Sequence, residues 1–138
     1  IWPKDRAARA HARAIANEMH GGFLPLRQAL PMNLAKTFRT PKLSDAADEN
    51  VARIEQIWRE TAAKFGGRGR YLFGAFSAAD AMYAPVVTRL DTYQIPVAPD
   101  TRAYMDTMLA QPAFLAWKKE ALSEPWTITD YEAGHTPA

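Results

Sequence analysis

Residues 73–87 read FGAFSAADAMYAPVV, and this stretch decides the fold. The hydroxyl of Ser77 can accept the backbone N–H of Asp80, while the carboxylate of Asp80 can reach back to the N–H of Ser77. This reciprocal arrangement, a capping box, satisfies two N–H groups that the start of a helix leaves without partners. Because 81–87 presents no polar face, the helix is expected to lie in the centre of the core. We therefore interpret Ser77 and Asp80 as folding residues, with a catalytic role of Asp80 as the alternative.

The rest of the chain has helical periodicity as well. Apolar residues recur every three or four positions from Lys4 to Leu30. Gly21, Gly22 and Pro25 interrupt this pattern and predict a kink or break in a long first helix. Further helices are predicted over 44–65, 77–92, 100–110 and 112–122, with a loop over 31–43 and an irregular tail over 125–138. No alternating strand pattern appears, so the sequence predicts an all-α, five-helix bundle.

The second predicted helix has a clear inner and outer face. Its core stripe is predicted to consist of Val51, Ile54, Trp58, Ala62 and Phe65. Its outer face carries oppositely charged residues four apart, which stabilise helices modestly when they pair. The predicted pairs are Glu49 with Arg53, Glu55 with Arg59, and Glu60 with Lys64.

Composition limits the function classes. The chain has 138 residues, 48% of them apolar, which suits one domain with a sizeable core. It has no cysteine, which excludes disulfides, thiolate metal sites and a cysteine nucleophile from this chain and favours a cytoplasmic setting. No apolar stretch is long enough to span a bilayer. The three histidines are not spaced for a metal site, and a net charge of +2 argues against nucleic-acid binding, although a pI near 9 keeps that alternative open.

The central helix resembles the capped helix of a known family, the C-terminal domain of glutathione transferases. The residues that carry this resemblance to its capping box and hydrophobic staple are Phe73, Gly74, Phe76, Ser77, Ala79, Asp80 and Pro85. The bent first helix, the charged second helix and the segment Gln111–Phe114 are similar to the family as well. The resemblance implies that 1–138 is the C-terminal helical domain, and that the thioredoxin-like domain which precedes it in the family is absent here. The nucleophile-activating residue would lie in that missing domain, so no catalytic residue is predicted in this chain, and the isolated chain is expected to be inactive.

The first helix carries the predicted site. The stretch from Asn17 to Phe23 is similar to the cleft segment of bacterial glutathione transferases. This resemblance implies that Asn17 and Glu18 reach the γ-glutamyl ammonium of glutathione across a homodimer, and that His20 lies near its sulfur. It also implies an apolar site for small electrophiles, whose predicted members are Met19, Phe23, Arg27, Tyr83 and Trp126.

The residues alone allow plainer interpretations of the same segment. Arg6, Arg13, His20 and Arg27 recur every seven positions, which places them along one side of a helix. Such a basic stripe would attract the carboxylates and thiolate of glutathione, but charged residues on a helix face are commonly only solvated. By composition alone, Met19, Phe23, Tyr83 and Trp126 are expected in the core, and only the resemblance assigns them to a pocket.

Two functions follow from the resemblance. In the first, the parent protein conjugates glutathione to an electrophile, as in detoxification, or uses it to reduce a peroxide or mixed disulfide. The alternative is a non-catalytic interaction module, because the same fold docks partners in translation factors and synthetase complexes.

Overall fold

Seven α-helices and no β-strand make up the protein in a computed structural model that describes residues 1–138. The helices are α1 (Arg6–Gly21), α2 (Leu24–Ala29), α3 (Asp45–Thr61), α4 (Ala78–Thr92), α5 (Pro99–Leu109), α6 (Pro112–Ala121) and α7 (Thr129–Glu132). A π-helical segment (Ala62–Gly66) continues α3. The predicted all-α fold is confirmed. Five helices were predicted and seven are present, because the first predicted helix forms two and the tail contains the short α7.

The interruption in the first predicted helix is a complete break. At Gly22 the backbone becomes extended, and a Cβ atom there would lie only 2.6 Å from the carbonyl oxygen of Glu18. Phe23 follows with left-handed angles (φ 59°) and a buried ring. Pro25 then lies in the first turn of α2, a position where its missing N–H costs nothing. The break turns the chain toward α3 and closes one end of the surface between α1 and α4.

The inner face of α3 follows the prediction only as far as the α-helix continues. Ser44 caps the helix, since its hydroxyl accepts the N–H of Ala47 at 3.3 Å. Val51, Ile54 and Trp58 are buried as predicted. Beyond them, the predicted stripe fails: Ala62 is exposed and Phe65 only partly buried. The π-helical segment has a wider turn, so a stripe extrapolated at the α-helical period does not continue through it.

The outer face of α3 pairs with other helices. None of the three predicted pairs within α3 is an ion pair of the structure. Instead Arg53 donates to both carboxylate oxygens of Glu18 on α1, at 2.8 and 3.0 Å, and Arg59 donates to both oxygens of Asp100 on α5, at 2.7 and 3.3 Å. Each of these exposed pairs stabilises the fold little, because solvent screens the charges. Their effect is mainly to fix how α3 lies against α1 and α5.

Asp80 connects three parts of the fold at the start of α4. Ser77 is the N-cap and the capping box is formed. The N–H and the hydroxyl of Ser77 donate to Asp80 Oδ2 at 2.8 and 2.9 Å, while the N–H of Leu72 and the hydroxyl of Tyr104 donate to Oδ1, both at 3.1 Å. The Asp80 side chain is completely buried. A carboxylate with four donors and no exposure holds the preceding loop and α5 to α4, which supports a folding role rather than a catalytic one.

The staple residue of α4 finds a different partner from the one in the family pattern. Phe76 precedes the cap, but Ala81, at the fourth helical position, is small and exposed. The ring of Phe76 meets Tyr71 edge-on, with 5.3 Å between ring centroids. Phe76 therefore packs on the loop before α4 and not on the helix itself.

The predicted irregular tail is attached to the loop that follows α2. Phe38 and Pro137 form an isolated antiparallel β-bridge, and Ala138 N donates to Thr37 O at 3.0 Å. The ring of Phe38 is buried against Tyr93, the residue directly after α4. The end of the chain thus covers one end of the core.

Candidate functional site

A groove runs between α1 and α4, and we call it the α1–α4 groove. Its lining residues advance in the same direction along both helices, so α1 and α4 lie parallel at this surface. The groove contains two cavities, of about 500 and 210 Å³. The larger is lined by Trp2, Arg13, Ala16, Asn17, Ala78, Ala81 and Met82. The smaller is lined by Met19, His20, Phe23, Leu26, Arg27, Pro85, Val86 and Arg89.

Five of the eight predicted glutathione- and substrate-binding residues lie in this groove. They are Asn17 in the larger cavity and Met19, His20, Phe23 and Arg27 in the smaller one. The side chains of Asn17, His20 and Arg27 are exposed, Met19 is partly buried and Phe23 is buried. The groove therefore joins an apolar wall to polar groups that solvent, and so a ligand, can reach.

Glu18 faces the other way. It points to α3, where its carboxylate is held by both donors of Arg53. Glu18 thus lines neither cavity and already has a partner, which the sequence did not predict.

Tyr83 belongs to the core. Its side chain is 0% exposed, its hydroxyl donates to the carbonyl oxygen of Ile15 at 3.0 Å, and its ring meets Trp58 edge-on at 5.6 Å. Burial raises the pKa of the Tyr83 hydroxyl, with a further contribution from the charge of Glu18. A residue in this position joins α4 to α1 and lines neither cavity of the groove, so a substrate contact by Tyr83 stays a prediction.

Trp126 lies in the tail and lines neither cavity. Its side chain is 73% exposed, and its indole N–H donates to the carboxylate of Glu124 at 3.2 Å. The structure therefore does not bring Trp126 to the groove with the other predicted members of the substrate site.

The groove is lined by cations and by no acidic residue. Of the predicted basic stripe, Arg13, His20 and Arg27 line it, while Arg6 is exposed outside it. The sequence did not single out Arg89, which approaches from α4 and donates to the backbone carbonyl oxygens of Leu30 and Arg27. The available signal was that Arg89 is the only basic residue of α4.

Two guanidinium groups thus share the smaller cavity. Desolvation lowers the pKa of Arg89, and the positive charge of Arg27 lowers it further. Arg27 in turn donates to the carbonyl oxygen of His20 at 3.2 Å. Neither arginine has a carboxylate partner, so their charges remain available to an anionic ligand.

The model of the family described as "Glutathione S-transferase, C-terminal domain" matches residues 41–117, which is more than half of the 138 residues. The chain belongs to this family. None of the curated proteins matches the chain.

The match to the glutathione transferase C-terminal domain covers one wall of the groove. It includes α3, α4 and α5 and most of α6, but not α1 and α2. The wall with Pro85 and Arg89 is therefore supported by family membership, whereas the wall with Asn17 and His20 rests on geometry and on the resemblance of α1. No helix of this chain combines the length and apolarity needed to cross a bilayer, and no three His, Asp or Glu side chains are grouped for a metal ion.

Proposed function

We propose that this chain is the electrophile-binding part of a glutathione-dependent enzyme, with glutathione and the electrophile meeting at the α1–α4 groove. The observation that carries the proposal is the groove itself. An apolar wall containing Met19 and Phe23 adjoins exposed polar groups and cations, in a family whose members use glutathione. An apolar pocket with a few polar groups is the usual form of a small-molecule site.

The proposed roles follow from position. Asn17 and His20 are exposed on the same side of α1 and contact glutathione, while Arg27 attracts a carboxylate. Met19 and Phe23 contact the apolar part of the electrophile. The proposal includes a companion thioredoxin-like domain, a homodimer and a detoxifying role in the cytoplasm, as in the bacterial enzymes that the α1 segment resembles.

The chemistry of conjugation divides between the two domains. The companion domain supplies the hydroxyl or thiol that stabilises the glutathione thiolate. With 1-chloro-2,4-dinitrobenzene as the electrophile, the sulfur forms a bond to the ring carbon, chloride leaves, and the thiol proton passes to solvent. The groove residues bind and orient, so their contribution appears in kcat/KM only when both domains are present.

The experiment joins this chain to the thioredoxin-like domain of a glutathione transferase and measures conjugation of 1-chloro-2,4-dinitrobenzene. We expect His20→Ala to lower kcat/KM by about tenfold, the loss of ~1.4 kcal/mol in transition-state binding. His135→Ala is the matched control, because His135 packs on Phe38 and Tyr93 and lines neither cavity of the groove. Equal rates in both variants would remove His20 from the site. No activity with several such companion domains would favour the non-catalytic module instead.

Glu18 needs a separate experiment because Arg53 holds it. If the ammonium of glutathione binds Glu18, it must replace the Arg53 guanidinium. Arg53→Gln would then lower the KM for glutathione by freeing the carboxylate, and Glu18→Gln would raise it. Both variants are compared by glutathione KM and by thermal unfolding. Similar KM values, with the same loss of stability in both variants, would assign Glu18 to the α1–α3 contact alone.

A further inference from the structure

Arg89 has no role in the function proposed above, although it lines the smaller cavity of the α1–α4 groove. It reaches this cavity from α4, opposite Arg27 of α2. Its Nη1 atom donates to the backbone carbonyl oxygens of Leu30 and Arg27, near the end of α2. These two hydrogen bonds fix the orientation of the guanidinium before any ligand arrives.

The other edge of the Arg89 guanidinium is free. Its Nε and Nη2 atoms take part in no hydrogen bond or ion pair. Among residues that are not exposed, the only buried side-chain nitrogen or oxygen without a hydrogen-bond partner is Trp58 Nε1. Since Arg89 is itself partly buried, its two unpaired nitrogens would belong to the same class if solvent could not reach them. Both atoms are therefore accessible.

The same edge of an arginine binds carboxylates elsewhere in this protein. Arg53 holds Glu18 through Nε and Nη2, and Arg59 holds Asp100 through the same two atoms. Two parallel bonds of this kind match the planar geometry of a carboxylate. Arg89 presents the equivalent pair of donors, and no acidic residue lines either cavity of the groove to occupy them. The free edge fits a carboxylate that arrives with a ligand.

A second guanidinium adds to the attraction for an anion. Arg27 lines the same cavity, is exposed and pairs with no carboxylate. Desolvation lowers the pKa of Arg89, and the charge of Arg27 lowers it further, so the two cations lie close enough to repel each other. Met19 and Pro85 line the same cavity, are only partly buried, and offer an apolar contact to the rest of a ligand.

We propose that Arg27 and Arg89 together form a binding site for the carboxylate of a ligand in the α1–α4 groove. Arg89 supplies the fixed two-donor edge, and Arg27 supplies a second positive charge. The carboxylate belongs either to the glycine of glutathione or to the electrophile. Only the choice between these two sources rests on the proposed function, because the site itself is tested on this chain alone.

Binding is measured on the 138-residue chain, with benzoate as the probe and benzamide as the neutral control of the same shape, at constant ionic strength. The Nε–H signals of Arg27 and Arg89 in a nitrogen–proton NMR spectrum are assigned with the variants Arg27→Gln and Arg89→Lys. We expect benzoate to shift both signals saturably. We expect benzamide to bind at least about tenfold more weakly, since hydrogen bonds between charged groups are about twice as strong as neutral ones.

The same variants locate the bound probe, each followed at the arginine signal that remains. Arg27→Gln should weaken benzoate binding about tenfold by removing a charge-assisted contact. Arg89→Lys should also weaken it about tenfold, because lysine keeps the charge but lacks the planar pair of donors. Arg6→Gln removes the same charge from an exposed position outside the groove and should leave binding unchanged.

Three results would overturn the carboxylate site. They are the absence of a saturable shift, equal binding of benzoate and benzamide, and an Arg6→Gln variant that weakens binding as much as Arg27→Gln does. Arg27→Gln keeps the test decisive if Arg89→Lys disturbs the contact with α2, because the Arg27 side chain is exposed and its one hydrogen bond is to the carbonyl oxygen of His20.

The joined protein identifies the source of the carboxylate. 4-Chloro-3,5-dinitrobenzoate reacts as 1-chloro-2,4-dinitrobenzene does, with sulfur replacing chloride, but it carries a carboxylate. If the electrophile supplies the carboxylate, Arg27→Gln should raise the KM for 4-chloro-3,5-dinitrobenzoate about tenfold relative to that for 1-chloro-2,4-dinitrobenzene. If glutathione supplies it, the variant should raise the KM for glutathione about tenfold relative to that for its glycine monoethyl ester.

The site and the proposed function fail separately. Benzoate binding without any conjugation by the joined protein would contradict the proposed function and leave the carboxylate site standing. Conjugation without benzoate binding would overturn the carboxylate site and leave the proposed function standing. An active joined protein in which Arg27→Gln changes neither KM ratio would overturn the assignment of the site to this reaction.

Discussion

Replacing Asp80 by Asn tests whether the start of α4 is held by the four-donor arrangement. The carboxylate accepts the N–H and hydroxyl of Ser77 on one oxygen and the Leu72 N–H and Tyr104 hydroxyl on the other, all within 3.1 Å. Asn has almost the same shape as Asp but carries a donor where one acceptor was. The substitution therefore changes hydrogen bonding with little change in packing.

The loss can be worked out from the two orientations of the amide. If its oxygen replaces Oδ1, its NH2 group faces the N–H of Ser77; if it is flipped, the NH2 group faces the N–H of Leu72. The hydroxyls can rotate to accept, but in either orientation one buried backbone N–H loses its acceptor, at a cost of ~1–3 kcal/mol. The remaining bonds lose their charge-assisted strength. We expect a total loss of about 2–4 kcal/mol in the free energy of unfolding.

Urea unfolding followed by circular dichroism measures this loss, with an expected fall in midpoint of about 1–2 M. Asp5→Asn is the matched control, because Asp5 caps α1 at an exposed site by accepting the N–H of Ala8 at 2.8 Å. Asn caps helices about as well as Asp, so this variant should remain within ~0.5 kcal/mol of wild type. A loss below ~1 kcal/mol at Asp80, or equal losses at both sites, would refute the reasoning.

Two further predictions concern His11, which is partly buried, and Tyr83, which is fully buried. Burial and the nearby Lys64 lower the pKa of His11 below 6.5 in the folded state. As the pH falls, the unfolded state therefore takes up a proton at His11 before the folded state does. This lowers the free energy of unfolding from near pH 6.5 downward, until the pH is below the pKa of folded His11. His11→Gln should reduce the difference in unfolding free energy between pH 7 and pH 5, and an unchanged difference would contradict this. Tyr83→Phe should cost about 1 kcal/mol by removing the bond to Ile15 and leave kcat/KM of the joined protein unchanged; lost activity at full stability would return Tyr83 to the substrate site.

The parts of the fold that were predicted depend on local geometry. The capping box needs only the spacing of Ser77 and Asp80, because its donors and acceptors lie within one helical turn. The two further hydrogen bonds to the Asp80 carboxylate, from Leu72 and Tyr104, could not be predicted. Leu72 is eight and Tyr104 twenty-four residues from Asp80, and no periodic pattern indicates that they share one carboxylate. The sequence thus predicted only that Asp80 caps α4. In the structure, the same carboxylate also binds the loop before α4 and a tyrosine of α5.

The failed charge pairs on α3 have a similar cause. Residues four apart on a helix can pair without any other part of the fold, which makes Glu55 with Arg59 a reasonable prediction. The gain is small, however, and a carboxylate from another helix displaces it when the fold brings one near. Here Arg59 binds Asp100, and Glu55 instead accepts the N–H of Ala98 at 2.7 Å. At Arg53 and Arg59 the carboxylates of other helices have thus replaced the predicted local partners.

The candidate site, too, was predicted only where local sequence spacing determines it. A seven-residue repeat correctly predicted that Arg13 and His20 of α1 and Arg27, now on α2, share one surface, but repetition along one segment cannot reveal what the facing helix adds. The structure adds Arg89, whose guanidinium shares the smaller cavity with that of Arg27. Two like charges in one partly desolvated cavity repel, and backbone carbonyl oxygens offset that repulsion only in part, because they carry no net charge. A bound anion would complete the compensation, and glutathione brings two carboxylates. The facing cations, more than the histidine, are therefore the strongest physical reason to expect glutathione or a similar anion in the α1–α4 groove.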